Sequence, residues 1–129
     1  MMKIVGIGVD IVDNKRFKSL IKDNKFINRI FSKKEIFDSK KTLNKINFFS
    51  KRFAAKESFA KALGTGFRNN LNFKDIEIVN DNLGKPFYLI NNKIKQIIKK
   101  NKKIANFELF LSISDEKDYS VAFIIIQKI

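Results

Sequence analysis

The first apolar block, Ile4 to Val9, is short and unbroken and ends at Asp10, which predicts a buried strand. Asp13 is suited to cap a helix running to about Lys22, with Phe17, Leu20 and Ile21 inward and Arg16, Lys18 and Lys22 outward. Val12, just before that cap, is spaced to pack on Phe17 as a hydrophobic staple. A second helical pattern, Phe26 to Phe31, leads to Ser32-Lys33-Lys34-Glu35, a capping box that opens another short helix. The longest helix is expected from about Asn44 to Leu63, with Gly64 ending it. Strand patterns follow at Asp75 to Val79 and Phe87 to Ile90, around the turn Asn80-Asp81-Asn82-Leu83-Gly84-Lys85-Pro86. Lys93 to Lys103 reads as a basic amphipathic helix with Ile94, Ile97 and Ile98 on one side. Two closing strands, Phe107 to Ser114 and Tyr119 to Gln127, flank the polar loop Asp115-Glu116-Lys117-Asp118.

Helices first and then mostly antiparallel strands predict an α+β fold, one compact domain over residues 1–129. Its antiparallel sheet is expected to pack against the long central helix. In Val121-Ala122-Phe123-Ile124-Ile125-Ile126 both alternating faces are apolar. A sheet of that kind must be covered on both sides, and a small domain has few helices to do it. Burial within one chain and burial against further copies both remain open on this pattern.

Composition narrows the chemistry. The hydrophobic fraction is 44% and there are 14 phenylalanines, enough for a core. No apolar run is long enough to span a bilayer, and Met1-Met2-Lys3-Ile4-Val5-Gly6 lacks the features of a signal peptide, so a cytoplasmic location is expected. Cysteine and histidine are both absent, which removes disulfides, thiolate chemistry, the usual zinc sites and any Ser-His or Cys-His nucleophile pair. What remains is carboxylates, lysines, arginines, hydroxyls and a hard metal ion. The net charge of +14 attracts polyanions: nucleic acid, anionic membrane, a phosphate-rich cofactor or an acidic protein. A nucleic-acid module would interleave its basic residues with exposed aromatics, whereas these phenylalanines follow core periodicities.

On the long helix, Phe48, Phe49, Phe53, Ala55, Phe59, Ala60, Ala62 and Leu63 cover about half the circumference, with Ser50, Lys51, Ser58 and Lys61 opposite. Arg52 and Lys56 fall inside the apolar half and Glu57 at its boundary. One reading has the two cations snorkel while Glu57 and Lys61 form an ordinary i,i+4 pair. The other is chemical. Asp10 ends a strand where Gly6 and Gly8 admit another backbone, and with Glu57 it offers two hard oxygen ligands for Mg²⁺ beside cations that hold phosphate.

Three blocks carry a resemblance that extends over essentially the whole chain. Gly6-Ile7-Gly8-Val9-Asp10-Ile11-Val12, the run Arg52 to Gly66 and Gly84-Lys85-Pro86 resemble, in order and separation, the signature blocks of bacterial holo-acyl-carrier-protein synthases. The resemblance implies Asp10 and Glu57 as the Mg²⁺ ligands, and Lys61 as the lysine on the phosphate under attack. It implies Arg52, Lys56, Gly64, Thr65 and Gly66 along the coenzyme A site, and Lys85 and Pro86 beside the nucleotide. It further implies transfer of phosphopantetheine to a serine of an acidic carrier protein, which docks on basic first helices through Arg16, Lys22, Lys25 and Arg29. Homotrimers with active sites at subunit interfaces are implied too. One position departs: Asp115 stands where the family usually has histidine, and a carboxylate offers no positive charge to a phosphate. Lys117 or Lys61 would be its expected local partner.

Overall fold

The computed structural model describes residues 2–129. Strand β1 (Lys3–Asp13) leads through a 3₁₀ turn at Asn14–Arg16 into α1 (Phe17–Leu20), α2 (Asn24–Ile30) and α3 (Lys33–Ser39). The long helix α4 (Lys45–Leu63) follows, then β2 (Glu77–Asn80), β3 (Pro86–Leu89), α5 (Asn92–Lys102), β4 (Phe107–Asp115) and β5 (Tyr119–Lys128). β5 is the middle of a three-stranded antiparallel sheet in the order β1-β5-β4, and β2 and β3 make a separate hairpin. Among the described residues no helix is long and apolar enough to cross a membrane.

The α+β expectation holds, with local corrections. β1 continues past Asp10 because Asp10 pairs with Ala122 and Asp13 with Tyr119, so Asp10 is a mid-strand residue. Asp13 does cap, accepting from the Lys15 amide at 3.0 Å, but the cap opens a 3₁₀ turn and a single short helix in place of a run to Lys22. The capping box at Ser32 and Glu35 is present, and Gly64 ends α4 at φ 83°. β2 starts at Glu77, later than expected, because the Asp75 carboxylate turns back to accept from the Asn72 amide and closes a 3₁₀ turn.

α4 is enclosed almost all round. Its apolar side packs on Ala122, Ile124 and Ile126 of β5 and on the phenylalanines Phe17 and Phe31, all within one core. Ser50 and Ser58, placed opposite the apolar face by periodicity, are also fully buried. Each finds a local acceptor: Ser50 Oγ donates to Asn14 Oδ1 at 2.7 Å, and Ser58 Oγ to the Ala55 carbonyl at 2.9 Å. Buried hydroxyls paired in this way cost little. The side of α4 that carries Ser58 and Ala62 lies directly against β1. A Cβ on Gly8 would sit 1.9 Å from the Ser58 carbonyl oxygen, and one on Gly6 2.6 Å from that of Ala62.

The outer sheet face carries Ile7, Val9 and Ile11 of β1, Phe123 of β5 and Phe110 of β4, of which Ile11 is 63% exposed. These positions are neighbours in register, since Val9 pairs with Phe123 and Phe110 with Ile125. The both-sided apolar pattern therefore resolves into one face on α4 and one open face.

Gly8→Ala is expected to cost about 3 kcal/mol or more, because the atoms in the way are backbone and cannot rotate aside. Urea unfolding measures it, and a variant as stable as the parent would show that α4 slides freely on β1.

Candidate functional site

The approach of α4 to β1 brings Asp10, Glu57 and Lys61 together. Asp10 lies two residues past Gly8 on the strand face that meets the helix, and Glu57 and Lys61 are one helical turn apart. Lys61 Nζ donates to Asp10 Oδ1 at 2.9 Å and to the Val9 carbonyl at 3.1 Å. The i,i+4 pair with Glu57 is therefore replaced by a pair across to the strand. Glu57, half-buried, has its carboxyl pushed above the ordinary carboxylate range, first by burial and then by the negative charge of Asp10. Lys61 and Arg16 pull it the other way.

Among the described residues no three carboxylate, cysteine or histidine side chains gather as a metal cluster. Asp10 and Glu57 supply two hard oxygens whose mutual repulsion a divalent cation relieves. That donor set fits Mg²⁺, which keeps several waters and takes phosphate oxygens as its other ligands.

Arg52 lies one turn and more before Glu57, at the wall of a cleft of about 730 Å³. Its guanidinium stacks on the Phe48 ring at 3.7 Å and is only 4% exposed. Burial pulls its pKa down, with Glu35 and Asp38 opposing. Its Nε is buried without a hydrogen-bond partner among the described residues. Nε is closed off from solvent, so an anion in the cleft could meet only the remaining edge of the guanidinium. A smaller adjoining hollow is lined by Arg52 together with Lys51, Asn80, Gly84, Pro86 and Asp115. Pro86 is thus brought to Arg52, whereas Lys85 is exposed on the turn and engaged only through its backbone, its amide donating to Asp81 Oδ1 at 2.9 Å and its carbonyl accepting from the Asp81 amide at 2.9 Å.

Lys56 does not line this cleft. It is fully buried, and its ammonium donates to Glu35 Oε1 at 2.7 Å, to the Phe73 carbonyl at 2.9 Å and to the Ile76 carbonyl. All three ammonium donors are thereby used inside the core. Glu35 in turn accepts from the Ser32 and Ile78 amides at 3.0 and 3.2 Å. The expected coenzyme A contact at Lys56 is corrected to an internal strut, and snorkelling does not describe it either. Burial lowers the Lys56 pKa, and Glu35 opposes that shift.

The Gly64-Thr65-Gly66 turn lies at the other end of α4, about 18 Å from Arg52 at 1.5 Å per residue. Thr65 lines a different cavity, of about 530 Å³, with Leu63, Arg68 and Lys100. Asp115 finds neither Lys117 nor Lys61: Asn47 Nδ2 donates to its Oδ2 at 2.8 Å, and Lys51 Nζ is 3.8 Å from its Oδ1. Lys51, Asn47 and Asn80 were not singled out by sequence reasoning. Only Lys51 had a signal, its place beside Arg52.

A sequence profile of the 4'-phosphopantetheinyl transferase superfamily matches residues 6–124, and the chain belongs to that family. Its curated relatives place it among the holo-[acyl-carrier-protein] synthases. One from Pelagibacter ubique is 61% identical over 98% of this chain and 99% of its own length. One from Orientia tsutsugamushi is 46% identical over 95% and 96%. The solved synthase from Bacillus anthracis, in complex with coenzyme A, superposes with a TM-score of 0.80 at 33% identity and covers all of both chains. That from Neisseria meningitidis gives 0.84 at 38%, over 96% and 98%.

Lys56→Met is expected to lower the unfolding free energy by about 3–5 kcal/mol, because it strands the buried Glu35 carboxylate. Lys61→Met, which removes a partly exposed pair, should cost about 1 kcal/mol or less. Chemical denaturation compares the two, and a fully stable Lys56→Met protein would return Lys56 to the candidate ligand contacts.

Glu57→Gln should raise the melting temperature at neutral pH by a few degrees at most. The folded-state pKa of Glu57 is raised, so its ionisation opposes folding above the ordinary carboxylate value of about 4.3 and the handicap grows as pH climbs through the folded value. The gain should vanish in acid, where the parent carboxyl is protonated in both states. Thermal melts across pH test this, and added Mg²⁺ should raise the melting temperature of the parent more than that of the variant.

Proposed function

We propose that this chain transfers the 4'-phosphopantetheine group of coenzyme A to a serine of an apo-acyl carrier protein, with release of adenosine 3',5'-bisphosphate, in fatty acid biosynthesis. The observation that carries the reading is the Asp10–Glu57–Lys61 cluster. It is formed where two glycines let the helix touch the strand, in a chain that aligns end to end with synthases of this activity. Solved relatives from Bacillus anthracis and Helicobacter pylori are complexes with coenzyme A, which supports coenzyme A as the donor here.

The serine oxygen attacks the β-phosphorus as its proton passes to Glu57 or to water, and the bond from that phosphorus to the bridging oxygen breaks with its electron pair leaving on adenosine 3',5'-bisphosphate. Charge then accumulates on the phosphate oxygens, so preorganised positive groups do most of the work. Lys61, half-exposed and anchored through Asp10, is the group we assign to the attacked phosphate. Asp10 and Glu57 would hold Mg²⁺, which when bound supplies further positive charge at the pyrophosphate. Arg52 and the hollow at Pro86 take the nucleotide, and the Gly64-Thr65-Gly66 turn lies farther along the same helix for the rest of an extended cofactor.

An acidic carrier is the partner, and the site is cytoplasmic. Arg16, Lys22, Lys25 and Arg29 are all exposed along the first helices, and Arg16 is close enough to act on the charge of Glu57. Carrier docking there would deliver the serine to the cluster and weaken as salt screens the charges. The open apolar face of Ile7, Val9, Ile11, Phe110 and Phe123 supports a homotrimer, since a contiguous patch of this kind calls for a protein partner.

Incubating the chain with apo-carrier, coenzyme A and Mg²⁺ should add one phosphopantetheine to the carrier by intact mass, and no mass gain would defeat the proposal. Asp10→Ala and Glu57→Ala should each lower turnover by about 10²-fold or more while remaining folded. Light scattering should report three copies of the 15.0 kDa chain, and Val9→Lys should release single chains by placing charge in the apolar face.

A further inference from the structure

We propose that Asp115 is a positioning residue that holds Lys51 as the cation selecting a phosphate monoester in the Arg52 cleft. That monoester is the 3'-phosphate at the nucleotide end of coenzyme A. The inference rests on the reading above that the nucleotide lies against Arg52.

The charged residues of the cleft wall are mainly cations, Lys34, Lys41, Lys51 and Arg52 against Asp38 and Asp115. Asp38 is taken by Lys34 through an i,i+4 bridge of 3.3 Å. Asp115 is left as an acid in a site built for an anion, where simple electrostatics makes it a liability. Its contacts show what it does. Asn47 fixes one carboxylate oxygen at 2.8 Å, and the other faces Lys51 Nζ at 3.8 Å. Lys51 and Asp115 are both about one-third exposed, at 34% and 32%. A pair that open to water adds little to stability. Its consequence is geometric: a long, freely rotating side chain is biased towards the rim shared by the cleft and the Pro86 hollow. At 3.8 Å the pair is ionic and not hydrogen-bonded, so the three donors of the ammonium remain for a ligand. Ordering that side chain in advance removes part of the entropic cost of capture.

Asp115 is itself rigidly carried. Asn14, 2% exposed, donates from Nδ2 to the carbonyls of Glu116 and Lys117 at 3.0 and 3.2 Å. Its amide donates to the Asp118 carbonyl at 2.8 Å. Its Oδ1 accepts from Ser50 and Ser120 at 2.7 and 2.8 Å. This buried network ties the loop after β4 to the start of α4, and Asn47 adds a bond to the Glu116 carbonyl at 3.2 Å. The end of β4, fixed by this loop, therefore presents Asp115 to Lys51 as a fixed point.

The test compares steady-state kinetics with coenzyme A and with coenzyme A lacking its 3'-phosphate, at saturating carrier. Asp115→Ala and Lys51→Met should each raise KM for coenzyme A about three- to five-fold, with kcat and carrier KM within about twofold. Neither should affect KM for the dephosphorylated cofactor, and the double variant should match Lys51→Met alone. A fall in KM on Asp115→Ala would mean that the carboxylate merely repels phosphate, and would overturn the proposal. Additive effects, or equal effects on both cofactors, would overturn it as well. Arg52→Lys separates the layers. If it raises KM for coenzyme A while Lys51→Met does not, this proposal alone falls. If neither variant changes that KM, the nucleotide lies elsewhere and the underlying reading falls with it.

Discussion

The contact between the backbone of α4 and the strand β1 is the constraint on which the rest of the molecule depends. Gly6 and Gly8 leave no Cβ between them and the carbonyls of Ala62 and Ser58, so the helix rests on the strand at backbone distance. Asp10, two residues along, is thereby within reach of Lys61. The same approach puts Glu57 close enough to Asp10 to feel its charge. A larger residue at either glycine would lift the helix and open the cluster along with the core.

Two charged groups on α4 are treated in opposite ways. Lys56 and Glu35 are fully enclosed, and every donor of the ammonium has a partner, so the pair ties α3, α4 and the turn before β2 into one body. Asp10, Glu57 and Lys61 are only partly shielded and out of balance, with two carboxylates facing one lysine. Complete satisfaction gives a rigid strut, and removal of either partner leaves a buried charge. Incomplete satisfaction gives a site with affinity for further cation and phosphate. The helix thus separates stability from chemistry by turning the two groups to different sides, within a few residues.

The net charge of +14 is also unevenly used. Cations of the first helices are exposed, those at the Arg52 cleft are fixed by stacking or by a carboxylate, and Lys56 serves the interior. A polyanionic cofactor and an acidic protein can therefore be met by different cations on one small surface.

The local elements were legible in the sequence because their signals are local. The capping box at Ser32 and Glu35 and the Gly64 stop of α4 stand where nearby residues predict them. Asp10, Glu57 and Lys61, singled out through the blocks around them, are brought together by the fold, with Asp10 in the middle of its strand and not at its end. Helix periodicity misjudged Ser50 and Ser58, because it reports which side of a helix is apolar and not how many neighbours surround it; it placed Lys56 on the buried side but could not name its partners. Only the tertiary structure turned Lys56 onto Glu35 and two carbonyls, exchanged the i,i+4 pair of Lys61 for Asp10, and gave Asp115 to Asn47 and Lys51. Those partners lie tens of residues away along the chain. Their distances are set by how the strand, the helix and the closing loop pack, which no local pattern encodes.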